Sequence, residues 1–543
     1  MARRSSTSAP SGGRSRKKKT RSTTRSKDRR GGVPASSPPR LFGAIDMGSN
    51  SIRLGVVEAT GADTWRYLDK LTLPVRLGVD TFTDGSISSD SMRATCEVLN
   101  RFKEVLDSYR VSDYRAVATS AVREADNRDT FLDRVHQQTG INLEVLEAVE
   151  ESSLTFDYLR QHLGKALGGK KSTLVADIGS GSVELMLIED GRLVLSESQR
   201  TGTLRLLQLL HNASERRARQ ILQPFIQQSI NTFGRVHLLE ATPNLLVLSS
   251  LVQRGLVEYD GVARRGDLVQ TDPQTFDGFA GSVLEMTADQ RSRRFDLGSA
   301  DAEELLPSVV LVESLLELTR AEALKVVEVT MLDCLILQML TGGSDLVEGL
   351  EQQVRSATVS VGEKYRYDRE HHQQVTRLAL VVFDSLRDLH ALGDRERLLL
   401  EVAGQLHDIG IFVSTRAHHK HSAYLIAASE IVGLSEDDLR IVSNVARYHR
   451  RALPKVAHLD YTTLPRDDRM VVSKLSAMLR IADALDRGHE SRIRELRVEV
   501  TSRELVLWVK APGELTIEEW ALEQKADFFK SLYGLEVVLR RDD

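Results

Sequence analysis

The hydrophobic pattern begins at Leu41 and one of its figures is drawn twice. "AIDMGSNSIRLGVVEA" (44–59) is an apolar strand ending at Asp46, a small polar loop, and a second apolar strand. "VADIGSGSVELMLIED" (175–190) follows the same plan around Asp177. Apolar runs of this length bounded by Gly, Ser and Asn predict hairpins. After the first hairpin the pattern predicts a strand at Trp65–Leu71 and a loop through "LPVRLGVDTFTDGSIS". A helix is expected over Ser89–Tyr109, with Met92, Cys96, Leu99, Phe102 and Leu106 on one face. "YRAVATSAVRE" reads as a buried strand entering a loop, and "NRDTFLDRVHQQTG" as a helix closed by Gly140. "LEVLEAVEE" reads as a strand followed by a helix.

The second unit, from Ser172, continues in helices to about Leu340, broken by a strand at "NLLVLSS". Residues 341–355 read as a linker or bent helix. From Tyr365 to Arg487 the pattern is helical, and beyond Ile493 strands and one helical stretch alternate. The expected architecture is α/β in two halves with mixed sheets, an all-α domain, and a small α+β domain. The boundaries are 41–165, 166–345, 356–490 and 491–543, after a tail at 1–40.

Charge changes the picture at one end only. Residues 1–40 carry thirteen Lys and Arg against one Asp, whereas the whole chain has a net charge of −4. With almost no large apolar side chains, the tail is expected to be disordered. It is either a polyanion-binding arm or a solvated segment. It lacks the apolar stretch of a secretory signal. No apolar run is long enough to predict a membrane span. Two cysteines cannot build a disulfide framework, which suggests a cytoplasmic protein.

The doubled hairpin carries the first candidate chemistry. Gly48, Ser49, Asn50 and Ser51 form one loop, and Gly179, Ser180, Gly181 and Ser182 the other. Glycine turns aim backbone N–H groups into a concavity that suits phosphate, and small hydroxyls add donors. Asp46 and Asp177 beside such loops call for a bridging cation, for which Mg²⁺ is the natural choice. Two unrelated hairpins with Asx-type turns would look similar.

These stretches resemble the exopolyphosphatase/guanosine pentaphosphate phosphohydrolase family, within the actin, Hsp70 and sugar-kinase fold. "DMGSNSIRL" (46–54), "RLG" (76–78), "ATSAVREADN" (118–127), "LEAVEES" (146–152), "DIGSGSVEL" (177–185) and "TGTLRL" (201–206) carry the resemblance. It implies a hydrolase that removes a terminal phosphate from inorganic polyphosphate or guanosine pentaphosphate, and a homodimer. It also implies that Glu151 is the catalytic carboxylate at a strand end, with Asp177 and Glu184 as further acids and Arg123 on phosphate. The alternatives are a helix N-terminal acid for Glu151, an outward strand residue for Glu184 and a surface ion pair for Arg123. Ser180 stands where the family usually has glycine, and Ser153 where arginine is common. The segment 247–254 lacks the glycines that face adenosine in nucleotide-binding relatives, which weakens a nucleotide reading.

The helical region has a second constellation. His371 (or His372), "QLHDIG" with His407 and Asp408, His421, His449 and Asp483 follow the order of the HD metal phosphohydrolases. The resemblance implies a site for a transition metal or Mg²⁺; structural histidines are the alternative. The leading expectation is an exopolyphosphatase. The rivals are a guanosine pentaphosphate phosphohydrolase, a polyphosphate or alarmone sensor with weak catalysis, and a hydrolase centred in the helical domain.

Overall fold

The computed structural model describes residues 40–542 apart from 165–166, 168–171, 211–214, 237–241, 243, 260–261, 343, 430 and 451. The expectations about the basic tail lie outside the described residues. The first sheet contains β1 (Leu41–Met47), β2 (Ser51–Ala59), β3 (Trp65–Pro74), β4 (Tyr114–Ala118) and β5 (Glu144–Val145), in the order β3-β2-β1-β4-β5. The second contains β6 (Thr173–Ile178), β7 (Val183–Glu189), β8 (Arg192–Gln199), β9 (Asn244–Leu248), β10 (Ala263–Arg265), β11 (Leu268–Thr271) and β12 (Ala323–Val327). Its order is β10-β11-β12-β9-β6-β7-β8.

Read from the hairpin outward, β8-β7-β6-β9-β12 repeats β3-β2-β1-β4-β5. In both, the first strand pairs antiparallel with the second and parallel with the fourth. The duplication suspected in the hairpins therefore extends to whole sheets. This is a pair of actin-like α/β halves. Register places Asp46 opposite Arg53, and Asp177 opposite Glu184. The same position thus carries a cation in one half and an acid in the other.

Each sheet is covered on both faces. The first packs Ile45, Leu54 and Ala116 against the helices Ser89–Tyr109 and Arg128–Thr139. Its other face, with Ala44, Val57 and Val117, meets Leu332, Leu335 and Ile336. Those residues lie on the helix Met331–Thr341, which follows β12 yet covers the first sheet. The second sheet buries Leu174, Ala176 and Leu185 under the helices Glu215–Val236 and Ser299–Thr319. Its opposite face shares a continuous core with the helical region, from Val175 and Met186 to Val354, Val375 and Leu479. A three-stranded sheet, β13 (Glu495–Val500), β14 (Glu504–Lys510) and β15 (Glu536–Arg541), closes the chain. No helix among the described residues is long and apolar enough to cross a membrane.

Four local expectations need correction. "LPVRLGVDTFTDGSIS" contains a helix, Leu77–Asp84, closed by left-handed Gly85 (φ 74°). It buries only Leu77, Gly78 and Thr81, too narrow a face to show in the pattern. Residues 344–355 belong to the helix Ser344–Lys364, which begins just after left-handed Gly342 ends its predecessor. Among the described residues the second half has four strands besides its hairpin and β9; β10 to β12 are too short to show alternation. Glu151 does not end a strand. β5 stops at Val145 and the helix Ala148–Leu163 starts with a capping box between Glu147 and Glu150. Glutamate is an unusual N-cap, so the start carried a weak signal.

Candidate functional site

The two loops are closed by the same bond, Gly48 N–H to Ser51 O and Gly179 N–H to Ser182 O, each 3.0 Å. They touch each other. A Cβ built on Gly181 would lie 2.6 Å from Ser49 Oγ and 2.2 Å from Ser120 Oγ, hydroxyls 3.0 Å apart. Gly202 backs the second loop so closely that a Cβ there would meet the backbone of Ser180, Gly181 and Ser182 within 2.5 Å. Arg205 fastens this loop to the first half. Its Nε donates to Gly181 O at 2.7 Å, Nη2 donates to both oxygens of Glu124, and its guanidinium lies over Phe82.

Asp46, Asp177, Glu184 and Glu151 are among the acids near the loops. Asp46 is held by Arg53 Nη1 at 3.0 Å. Asp177 and Glu184 face each other across the hairpin without a cation between them in the register. Burial pushes the Asp177 carboxyl up to about 7, helped by Glu184 and Asp46 and opposed by Arg53. Glu184 Oε1 accepts from Ser182 and Ser198, each at 2.8 Å, while the buried Oε2 has no hydrogen-bond partner. Burial raises its pKa against those hydroxyls. Glu151 lies in the first turn of its helix and pairs with Arg123, which also donates to Leu146 O at 2.6 Å. Burial pushes the Glu151 carboxyl up, Glu184 and Asp177 add to this, and Arg123 opposes them. Glu184 and Asp177 raise the proton affinity of Glu151, and Glu184 and Asp46 that of Asp177; acids gathered in this way also favour a divalent cation, and carboxylate oxygen suits Mg²⁺.

Glu151, Asp177, Glu184 and Arg123 therefore form one electrostatic group at the loops. Ser153 takes a structural part: its hydroxyl donates to Gln353 at 3.1 Å and ties its helix to Ser344–Lys364. The glycine-free segment begins the helix Ser250–Val257, with Ser249 capping Val252. Sequence reasoning missed Arg53, Arg205, Thr203 and Glu304. Arg53 was accessible, since it stands seven residues after Asp46 as Glu184 stands seven after Asp177. Glu304 had no signal; it is one of several acids in "DAEELL".

The helical region gathers its histidines into two groups, His371 with His407 and Asp483, and Asp408 with His418 and His449. Within each group the ligand atoms lie within 4.8 Å of one another, and all six residues are buried. Among the described residues these are the only such groups. His421 is in neither; His418, three residues earlier at the start of the helix His418–Ala427, is placed there instead. His372 lies beside His407, its Nδ1 on Asp368 O at 2.5 Å.

Outer contacts fix the rings. His371 Nδ1 meets Asp486 at 2.8 Å, His407 Nδ1 meets Gly404 O at 2.8 Å, and His449 Nδ1 meets Ala446 O at 2.6 Å. The buried Nε2 atoms of His371 and His407 have no hydrogen-bond partner. Burial drives His407 toward the neutral form. Against the cost of burial, His407, His418 and His449 hold Asp408 ionised, and Lys525 does the same for Asp483. Anchored Nδ1 and open Nε2 is the arrangement of metal-ligating histidine.

Two Gly- and Ser-containing turns on duplicated sheets, with acids beside them, belong to an enzyme that hydrolyses phosphoanhydrides. The chain belongs to the Ppx/GppA phosphatase family: it matches that family over residues 56–341, and the family's domain III over residues 354–527. A guanosine-5'-triphosphate,3'-diphosphate pyrophosphatase of Vibrio vulnificus (strain YJ016) is 24% identical over 504 residues, 89% of this chain and 95% of the relative. The corresponding protein of Aliivibrio fischeri (strain ATCC 700601 / ES114) is 25% identical over 439 residues, 77% of this chain and 82% of the relative. The crystal structure of an exopolyphosphatase from Cytophaga hutchinsonii shares the fold at 22% identity and a TM-score of 0.50. That likeness covers 56% of this chain and 98% of the neighbour.

Proposed function

We propose that the chain is an exopolyphosphatase that removes the terminal phosphate of inorganic polyphosphate between the two loops. The observation that carries this is the Glu151–Arg123 pair, set with Asp177 and Glu184 beside two phosphate-type turns. The loops take the terminal phosphate through backbone N–H groups and small hydroxyls. Glu151 orients a water and accepts its proton as the water oxygen bonds to phosphorus and the bridging P–O bond breaks. Arg123 favours the ionised form of Glu151 and keeps it in place. Asp177 and the unpartnered Glu184 Oε2 are the atoms that fit a Mg²⁺, which would neutralise charge on the phosphoryl oxygens.

The curated relatives are named for guanosine pentaphosphate, and the structural neighbour for polyphosphate. We favour polyphosphate because the turn after β9 carries Ser249, Ser250 and Leu251 rather than glycines, leaving no glycine-lined surface for a base. The deciding experiment measures phosphate release from long-chain polyphosphate with Mg²⁺, for the native chain and Glu151→Gln. Release that drops by about a hundredfold or more in the variant is expected. Guanosine pentaphosphate is the competing substrate in the same assay. Preference for it, with no release from polyphosphate, overturns the substrate assignment.

A second reading concerns the helical region, where the open Nε2 atoms of His371 and His407 favour a bound metal distinct from the cleft cation. Imidazole and carboxylate together suit Mn²⁺, Fe²⁺ or Zn²⁺.

A further inference from the structure

Glu304 lies on the helix Ser299–Thr319, 4% exposed, and no part of the reaction described above uses it. Its carboxylate is fully engaged. Oε1 accepts from Asn50 Nδ2 at 2.5 Å; Oε2 accepts from Ser180 Oγ at 2.8 Å and from the Thr203 hydroxyl. Asn50 belongs to the first loop, Ser180 to the second, and Thr203 follows the Gly202 that backs it. One anion thus collects donors from both halves. Ser180 is also the residue that departs from the glycine usual in the resembling family, and its hydroxyl is directed at this carboxylate. A hydroxyl has one proton to give, so Ser180 and Thr203 cannot donate to Glu304 and to a phosphate together. Burial raises the Glu304 pKa against those hydroxyl contacts, so the anion is costly where it stands.

Resting on the reading that the loops bind phosphate, we propose that Glu304 is an internal stand-in for the terminal phosphate. Its carboxylate occupies the loop donors, latches the halves through Asn50, and is displaced when a phosphoryl group takes those donors. Glu304 is therefore a positioning residue that sets how tightly the cleft accepts an anion. It opposes phosphate in two ways, by holding the donors and by like charge.

The test is calorimetric binding of inorganic triphosphate with Mg²⁺ to the full chain, in a Glu151→Gln background that does not consume it. Glu304→Ala frees the donors and removes the charge, and should tighten binding by about tenfold. Glu304→Gln keeps the volume and one acceptor oxygen, and should tighten it less. In the active background, Glu304→Gln should lower KM by a larger factor than it changes kcat, a split that loss of packing alone does not produce. Thermal unfolding of each variant checks the fold, and Glu304→Gln carries the test if Glu304→Ala unfolds. Unchanged or weaker binding in the folded variants, with triphosphate still bound by the parent, overturns this proposal alone. A parent that binds no triphosphate overturns it together with the phosphate reading of the loops.

Discussion

At the scale of single residues, the cleft is defined by acids kept where ionisation is costly. Burial first, then Glu184 and Asp177, pushes Glu151 up to about 8 from an ordinary 4.5. A general base works only when ionised, so its raised pKa predicts activity that climbs with pH through neutrality. Arg123 favours the ionised form. Removing it in Arg123→Ala should move the acid limb of kcat/KM toward higher pH by about one unit and lower activity at pH 7 by about tenfold or more. Profiles taken at one fixed Mg²⁺ concentration check this. A limb near pH 4.5 that Arg123→Ala leaves in place would remove Glu151 from the role of base. These residues were unequally legible. Asp177 was legible from the doubled hairpin, whereas Glu151 and Glu184 came from the resemblance, because an acid in a helix turn or a strand is unremarkable by pattern. Arg53 was recoverable from strand register. Glu304 was not, because its meaning comes from three donors at positions 50, 180 and 203 that only the folded chain brings together.

At the scale of elements, the loops keep their shape because other backbone lies against them. Gly202 has an ordinary φ of −61°, so it is needed for space rather than conformation. Its missing side chain leaves room for Ser180 O and Ser182 N, both within 2.5 Å of where a Cβ would stand. Backbone cannot rotate away as a side chain can. Gly202→Ala should therefore displace the second loop, lower phosphate release by about tenfold or more, and destabilise the chain by about 1–3 kcal/mol. Activity assays with denaturant unfolding measure both effects. Full activity would mean that the loop tolerates a shift that the packing does not permit. The hairpins that hold these loops were readable from alternation and small turn residues. The helix Met331–Thr341 was visible as a helix, but its place on the first sheet was not. Such a crossing is set by which apolar faces remain uncovered after both sheets form, and no local pattern records that.

At the scale of the whole molecule, the chain holds two ionic centres of opposite design. The cleft is rich in carboxylate oxygen and in acids that resist ionisation. The helical centre combines one imidazole driven toward neutrality by burial, His407, and two whose pKa neighbouring carboxylates raise against burial, His371 and His418, with Asp408 and Asp483 held ionised. The continuous core from β6 and β7 into the helices makes one folded body of the second half and the helical region. It does not merge their chemistry. His407 and Asp408 are nearly or fully buried within the helical region, and their neighbours include His371, His372, Asp483, His418 and His449 of that region. Lys525 already gives Asp483 one cation, so a metal on His371 and His407 would share that carboxylate with an ammonium. The chain purified without chelator should retain a transition metal, and His407→Ala with Asp408→Ala should lose it while polyphosphate turnover persists. Elemental analysis beside the phosphate-release assay checks both. Metal lost with turnover intact would separate the two centres. Turnover lost with the metal, in a variant that still unfolds cooperatively, would move the reaction into the helical region. Equal metal content in both proteins would leave those histidines as buried structural groups held by their outer contacts.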